Sequence, residues 1–353
     1  MRERLLVRRL FGALCMGLTA LVAFYFWVRT CSRGKWSVRT SADWRATVSF
    51  FTPLFAAMHA VSHALYSAVA GAQPGKKASA HWFASHVVSM AHALVITAAA
   101  LACLWLLWDA PATVKLGARA PPRWADGVSV ASPRWADGYP LIAATGELFT
   151  AWLAYDLALV VGAWATLGSW ETVAHHLGFL LAAALLRGYY FAPWQAAVCL
   201  SMEASTPFLN LCQLKEALGL DKRSRAVVCS FLAFALCFFA FRVLLLAAAL
   251  LQLLAHWADG PWALPPTRAS TAAAAAEPAT PAVPELAAYA LVALLCAALC
   301  MMLGWFRRIV AILLPAAHGA EEIATSDDSD GDAQRTRRTP GLSDDEEIAL
   351  VAV

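Results

Sequence analysis

The chain has 353 residues, of which 60% are hydrophobic and 14% are charged, and its formal net charge is +3. Charged residues make up about a quarter of an average soluble domain, so this composition indicates a polytopic membrane protein. The small, dispersed net charge argues against a nucleic-acid partner. Most of the nine cysteines lie inside apolar runs without C-x-x-C spacing, so neither a disulfide framework nor a zinc site is predicted.

Residues 1–47 are predicted to form a signal-anchor helix followed by a basic loop. Four arginines precede an apolar run over 10–28, which is long enough to cross a bilayer. Residues 29–33 do not form a small-residue cleavage site, so retention of this helix is favoured over a cleaved signal peptide.

Seven further apolar segments follow, which makes eight predicted membrane helices. They cover 48–71, 82–108, 139–165, 172–190, 193–213, 226–255 and 286–314. A Pro/Ala-rich linker over 257–285 has too little apolar bulk to fold alone, and the acidic, Ser-rich tail over 316–353 is predicted to be disordered. The repeated PRWADG at 122–127 and 133–138 is interpreted as a local duplication in a surface loop.

Eight membrane helices place both termini on one side of the membrane. The arginine-rich start, the Lys76-Lys77 joint, the 215–225 loop and Arg307-Arg308 fall on that side, which predicts cytosolic termini. The basic 33–45 loop would lie on the other side and argues against this orientation.

Histidines recur in the second and third segments. His59 and His63 are four residues apart and share one helical face, but two ligands do not make a specific metal site, so polar groups facing the bundle interior or the interface are favoured. His86 and His92 are six residues apart, which argues against a joint site. No metal and no cofactor are predicted.

The strongest functional signal is a set of polar residues inside the fourth to seventh apolar segments. A carboxylate at the depth of Asp156 costs about 3 kcal/mol, so it is expected to face protein or a cavity. His175 and His176 are adjacent and diverge by about 100° on a helix, so only one points squarely at a central cavity.

The sixth segment carries a polar stripe beside a proline. Glu203, Thr206 and Asn210 follow an i, i+3, i+7 pattern, and Pro207 is expected to kink the helix there. In the seventh segment, Arg242 is expected to pair with Glu203 or Asp156, with snorkelling to the interface as the alternative.

These segments resemble the TLC-domain family, the homology region of translocating-chain-associated membrane proteins, longevity-assurance ceramide synthases and the ceroid-lipofuscinosis transmembrane protein. The similar pieces are WFASHVVSMAHALV (82–95), the Tyr155-Asp156-Leu157 segment, WETVAHHLGFLLA (170–182), MEASTPFLNLCQLKEALGL (202–220) and FFAFRVLLL (238–246). The E-x-S-[ST]-P-F-x-N run at 203–210 is similar to the branch of TLC domain-containing protein four. The resemblance implies a barrel or bundle of about seven helices over 48–315 around a lipid-sized cavity, with 10–28 as one extra N-terminal helix.

The resemblance also implies a departure from ceramide synthases. Those enzymes share the His pair but carry a His-Asp-x-x-Asp arrangement on the next helix, where this chain has Ser201, Met202 and Ser205. Acyl transfer needs a base or nucleophile together with acidic groups that orient it, so the missing acids argue against that chemistry.

Two functions are therefore weighed for an integral membrane protein of the endoplasmic reticulum or secretory pathway. The favoured one is non-enzymatic lipid handling, in which a cavity binds a lipid or acyl chain and the protein influences membrane lipid composition, sensing or trafficking. The alternative is a ceramide-synthase-like N-acyltransferase that uses acyl-CoA and a sphingoid base, with His175 or His176 as base or nucleophile and Glu203 in place of the missing acids. The predicted cavity lining is Asp156, His175, His176, Glu203, Thr206, Asn210 and Arg242.

A third class, the membrane di-iron hydroxylases, is weighed last. The H-x3-H at 59–63, the H-x4-H at 81–86 and the His pair suggest it, but those enzymes need about eight histidines. Glu171, Thr172 and Val173 stand where the first histidine of a triplet would be required. The oligomeric state does not follow from the sequence.

Overall fold

The structure is a computed structural model that describes residues 41–70, 79–117, 138–189, 191–217, 224–262 and 283–326. Within these ranges the chain is helical and contains no β-strand. The α-helices are α1 (Ser41–Ala70), α2 (Ala80–Leu107), α3 (Ala112–Lys115), α4 (Gly138–Gly162), α5 (Trp164–Leu167), α6 (Trp170–Tyr189), α7 (Pro193–Ser201), α8 (Thr206–Ala217), α9 (Arg225–Cys237), α10 (Leu246–Ala255) and α11 (Glu285–Ser326). The predicted all-α class is confirmed.

Several of these helices are long and apolar enough to cross a membrane. In the described ranges they are Thr47–Ala68, Ala80–Leu107, Leu141–Gly162, Arg225–Ala255 and Glu285–Leu313. A span needs about 20 apolar residues, so these stretches confirm a multi-pass membrane protein. The predicted 10–28 helix, most of the 122–138 repeat, the 263–282 part of the linker and the tail after 326 lie outside the described residues.

The sixth predicted segment begins at Pro193 but is not one continuous helix. It forms α7, a 3-10 turn over Met202–Ser205, and then α8. Pro207 is the second residue of α8, where its missing N–H removes no bond from the interior of a helix. The predicted kink is therefore displaced: the interruption lies in the four residues that precede Thr206.

The seventh segment contains a wide turn. The α-helix α9 passes into a π-helix over Phe238–Leu245 before α10 begins. Pi-helical turns are rare and are often found at functional sites, because the extra residue rotates neighbouring side chains. Here the wide turn carries Arg242 into the protein interior.

The helices pack in two groups joined by α6. In the first group α1, α2 and α4 contact one another, and α2 and α4 also contact α7, around a core that includes Phe51, Phe55 and Phe149. In the second group the π-helix and α10 pack on α11, and Phe238 lies in that core. Helix α6 contacts α4, α7 and α11. Three helices, α4, α6 and α7, thus converge around one interior space.

Candidate functional site

A buried carboxylate–histidine pair joins α4 to α6. Asp156 Oδ2 lies 2.9 Å from His176 Nε2, and both residues are buried. His176 Nδ1 lies 2.7 Å from the Thr172 carbonyl oxygen, which can only accept, so Nδ1 carries a proton and donates it there. At Nε2 the imidazole lies within ion-pair distance of the Asp156 carboxyl group.

The side chains of His175 and His176 point to different sides of α6, because adjacent residues on a helix diverge by about 100°. While His176 reaches α4, the His175 ring packs 4.7 Å from Phe179 and 5.6 Å from Trp305 on α11. His176 is therefore the histidine with an acidic partner, and His175 is held between aromatic rings.

Arg242 is buried, but the predicted ion pair is wrong. Its Nε donates to the Met202 carbonyl at 3.0 Å and its Nη2 donates to Thr206 Oγ1 at 2.9 Å. Among the described residues, no ion pair within 4.0 Å joins Arg242 to Glu203 or Asp156. The 3-10 turn presents a backbone carbonyl to the guanidinium, and that carbonyl takes the place expected for a carboxylate. Snorkelling is also excluded, because the side chain is only 7% exposed.

Glu203 lies between these two polar groups. It is buried in the 3-10 turn and interacts electrostatically with Arg242, His176 and Asp156. Its Oε2 atom has no hydrogen-bond partner within the described part of the chain. Buried acceptors of this kind are costly unless another group satisfies them. Glu203 is thus the member of the cluster most available to a ligand.

An apolar pocket lies beside this polar cluster, between α4, α6 and α7. It has about 790 Å³ of free space, including its mouth. Its walls include Gly146, Thr150 and Glu147 from α4, Phe179, Ala182, Ala183 and Leu186 from α6, Phe191, and Pro193, Ala196, Cys199 and Leu200 from α7. Most of this lining is apolar, which is typical of sites for small molecules and lipid chains.

The residues between α6 and α7 also contribute to the pocket, since Phe191 and Pro193 line it. Ala192 adopts a left-handed φ of 52°, and its N–H donates to the Leu116 carbonyl at 3.1 Å. Beside it, Lys115 Nζ donates to the Trp108 carbonyl at 2.7 Å and lies 4.6 Å above the Trp194 ring. Burial lowers the pKa of Lys115 below its ordinary value, and the nearby Asp109 opposes this effect.

None of the predicted site residues lines the pocket itself. The structure brings Asp156, His176, Glu203 and Arg242 together next to it, and their role as cavity lining stays a prediction. The pocket residues were not predicted from the sequence. The feature that could have indicated a pocket is the set of small residues on the converging helices, including Ala143, Gly146, Ala182 and Ala183.

Metal-ligating side chains do not converge in the described ranges: no group of three or more His, Cys, Asp or Glu there is placed to hold a metal ion. The expectation that the protein uses no metal remains a prediction.

His92 contributes packing rather than hydrogen bonds. Its ring stacks on Trp152 with centroids 4.1 Å apart and planes 6° apart, and neither ring nitrogen has a partner in the described chain. We expect His92→Phe to keep the stack and raise the free energy of unfolding by about 1 kcal/mol, because it removes two unpaired polar atoms. Denaturant unfolding in detergent measures this, with Trp152→Phe as the control that weakens the stack. A loss of stability on His92→Phe would show that those nitrogens bind something.

The sequence is similar to one known protein family over more than half of its length. The profile of the TLC domain matches residues 82–311, which is more than half of the chain. The chain belongs to the TLC domain family. TLC domain-containing protein 4-B of Danio rerio is 31% identical to it over 159 residues, which cover 45% of this chain and 53% of that protein. The chain thus aligns with about half the length of that relative. No solved structure gives a significant match.

The family match places the polar cluster and the pocket inside the TLC domain, since both lie between 82 and 311. The relative's name agrees with the branch that the Glu203–Asn210 run predicts. The match begins at Trp82, whereas α1 lies before it and packs on α2 and α4. In this TLC protein the acid that contacts the second histidine comes from α4.

Proposed function

We propose that this TLC protein is a lipid-handling protein that holds a lipid or acyl chain in the pocket between α4, α6 and α7. The observation that supports this most directly is the order of residues along the three helices. The lining from α6 and α7 is apolar or small, the lining from α4 is mostly so but includes Glu147 and Thr150, and further polar residues follow beyond the lining on each helix. A site with an apolar body and a polar end matches the shape and polarity of an amphiphile.

On each helix the polar residue lies just beyond the residues that line the pocket. On α4 the lining ends at Thr150, and Asp156 follows at a later turn. On α6 the lining ends at Phe179, and His176 lies one turn nearer the helix start. Helix α6 ends at Tyr189 and α7 begins at Pro193, and from this short separation and their mutual contact we infer that the two helices run in opposite directions.

The same order holds on α7, where the lining ends at Leu200 and Glu203 follows in the 3-10 turn. Asp156, His176 and Glu203 therefore lie at one end of the pocket, and their electrostatic interaction agrees with this placement. The lipid tail would occupy the end near Phe191 and Pro193, and the head group would face Glu203.

The decisive experiment fills the pocket. A Cβ atom added at Gly146 meets no atom within 4 Å, and Gly146 lines the pocket, so Gly146→Leu is chosen to fill pocket space. We expect lipid retained by the purified protein, measured by mass spectrometry, to fall by about tenfold, because steric overlap of this size costs 1–3 kcal/mol. Gly162→Leu is the matched control, since it lies on the same helix, also meets no atom within 4 Å and does not line the pocket.

A second variant tests the polar end. The Glu203→Ala, His176→Ala double variant is expected to change which lipids are retained while leaving space for a chain. If both this variant and Gly146→Leu retain the wild-type lipids in wild-type amounts, the pocket is not the lipid site and the proposal fails.

A second candidate function is N-acyl transfer from acyl-CoA to a sphingoid base. One observation favours it: His176 is oriented by the Thr172 carbonyl and contacts the Asp156 carboxyl group, an arrangement found around general bases. The histidine expected at Ser201 and the acids expected at Met202 and Ser205 are absent, and Asp156 supplies an acid from α4 instead. His175 lacks such a partner, so His176 is the residue proposed to act as base or nucleophile.

Incorporation of a labelled acyl chain into a sphingoid base by the purified protein tests this candidate. Activity that is abolished by His176→Ala and kept by His175→Phe would support the acyltransferase. Lipid retention without any incorporation would leave the non-enzymatic function.

We infer that the protein acts in the endoplasmic reticulum or secretory pathway with cytosolic termini and influences lipid composition, sensing or trafficking there. The basic ends of the helices support this orientation. Protease protection of tags placed at each terminus in sealed microsomes tests it.

A further inference from the structure

A second chain of polar contacts crosses α1, α2 and α4 and is not part of the lipid pocket. The Tyr155 hydroxyl lies 3.0 Å from His59 Nδ1, and His59 Nε2 lies 3.2 Å from His81 Nδ1. Tyr155 and His59 are buried, whereas His81 is exposed. His81 is also the second residue of α2, at the end of a stretch that can span the membrane. The contacts thus lead from the membrane boundary into the interior.

Each member of this chain can both donate and accept a hydrogen bond. A neutral imidazole has one N–H and one bare nitrogen, and a phenol has an O–H and lone pairs. When Tyr155 donates to His59 Nδ1, His59 must donate from Nε2 to His81, and His81 carries its own proton on Nε2. The reverse order, from His81 through His59 to Tyr155, satisfies the same contacts. The chain therefore has two states that differ only in where the protons sit.

The inner end of the chain interacts electrostatically with the buried acid–base pair, although among the described residues no hydrogen bond joins the Tyr155 hydroxyl to Asp156. Asp156 follows Tyr155 in the sequence and contacts His176 at 2.9 Å. It also interacts electrostatically with Tyr155 and with His59. The other titratable groups near His59 are His81 on α2 and His63, one turn later on α1. The His63 ring lies 4.4 Å from that of His81 but forms no hydrogen bond within the described residues.

We propose that His81, His59 and Tyr155 form a proton path between the membrane boundary and the Asp156–His176 pair. For inward transfer, solvent gives a proton to His81 Nε2, and His81 passes its Nδ1 proton to His59 Nε2. His59 passes its Nδ1 proton to the Tyr155 oxygen, and the original Tyr155 proton passes on to the Asp156–His176 pair. The three path residues end neutral, and the pair gains the one proton that entered from solvent. The path does not depend on a lipid in the pocket.

Isotope exchange tests the path in the full chain. The wild-type protein in lipid vesicles is transferred to deuterated buffer, and time-resolved infrared spectroscopy follows the carboxyl and imidazole bands of the buried pair, assigned with Asp156→Asn. Exchange does not require the pair to titrate. We expect Tyr155→Phe and His59→Gln to slow exchange on the order of a hundredfold, because positioned acid–base groups accelerate proton transfer by that much.

Matched variants separate transfer from packing. His59→Gln keeps a donor and an acceptor but cannot pass a proton through one ring, and Tyr155→Phe keeps the aromatic contact with Phe55. His63→Gln alters a ring that stacks on the path without bonding to it, so its exchange rate is expected to match the wild type. Added imidazole is expected to restore exchange in His59→Ala.

Two results would overturn the path: wild-type exchange in both His59→Gln and Tyr155→Phe, or equal slowing by His63→Gln. Gly146→Leu, which fills the lipid pocket, is expected to exchange at the wild-type rate. A failure of the lipid proposal is therefore distinguishable from a failure of the proton path.

Discussion

Arg242→Met is expected to lower the free energy of unfolding by about 3 kcal/mol, because it removes a buried guanidinium that makes two hydrogen bonds and interacts electrostatically with the buried Glu203. Methionine fills the space of the aliphatic stem, so the loss reports on the guanidinium. The Met202 carbonyl and the Thr206 hydroxyl lose their donors, and Glu203 loses its nearest cationic partner. Denaturant unfolding in detergent micelles, followed by tryptophan fluorescence, measures the change.

Two companion variants identify which part of the interaction matters. Arg242→Lys keeps the charge but cannot bond through two separate nitrogens, so we expect a smaller loss than for methionine. Glu203→Gln in the Arg242→Met background removes the uncompensated carboxylate and is expected to recover part of the stability, which a double-mutant cycle quantifies. Unchanged stability of Arg242→Met would mean that Met202 and Thr206 are satisfied without it.

The membrane helices follow from the sequence because lipid leaves the backbone few alternatives. An apolar run of about 20 residues in a bilayer must satisfy its N–H and C=O groups internally, and an α-helix does so. The stretches 80–107, 141–162 and 285–313 therefore lie where hydropathy places them. This part of the fold depends on local composition alone.

The interruptions of the helices do not follow from local composition. The 3-10 turn over Met202–Ser205 and the π-helix over Phe238–Leu245 face each other, and Arg242 bonds to the Met202 carbonyl across the gap. Each break is stabilised by a residue about 40 positions away in the chain. Pro207 signals a disturbance in the sixth segment but not its position, because proline is tolerated in the first turn of the helix that follows it.

The members of the buried polar cluster can be picked out in the sequence, but their pairings cannot. Asp156, His176 and Arg242 stand out in the sequence because polar side chains in apolar spans are costly and must face protein or a cavity. Their partners depend on the rotation of whole helices. The π-helix places the Arg242 guanidinium next to the Met202 carbonyl. The rotation of α4 places Asp156 next to His176.

The pocket and the proposed histidine path could not be predicted from the sequence, and the reason is again the unknown rotation of the helices. Small residues such as Ala143 and Gly146 equally predict close helix packing, so free space appears only once the helices are placed. His59 and His63 form a visible i, i+4 pair, but His59 bonds to His81 and Tyr155 on other helices. Helix periodicity shows that His59 and His63 share one face of α1, but it does not show which residues of other helices lie against that face.

The Asp156–His176 contact gives the second large expected effect. Asp156→Leu leaves His176 Nε2 buried without its partner, so we expect a loss of about 2–3 kcal/mol in the free energy of unfolding. Asp156→Asn is expected to cost less than about 1 kcal/mol, because the amide N–H can donate to Nε2 while Nδ1 still donates to Thr172. Denaturant unfolding gives the energies, and nitrogen chemical shifts of labelled histidine report the protonation of His176.

The exposed pair between Arg308 and Glu171 is the control for this comparison. Its nitrogen–oxygen distance is 3.3 Å and both side chains are about half exposed, so Glu171→Gln is expected to change stability by less than about 0.5 kcal/mol. If Asp156→Leu costs no more than Glu171→Gln, the buried contact is not an energetic link between α4 and α6. If Asp156→Asn costs as much as Asp156→Leu, the charge of the pair stabilises the fold rather than its hydrogen bond, and the cluster around Glu203 acts as one electrostatic unit.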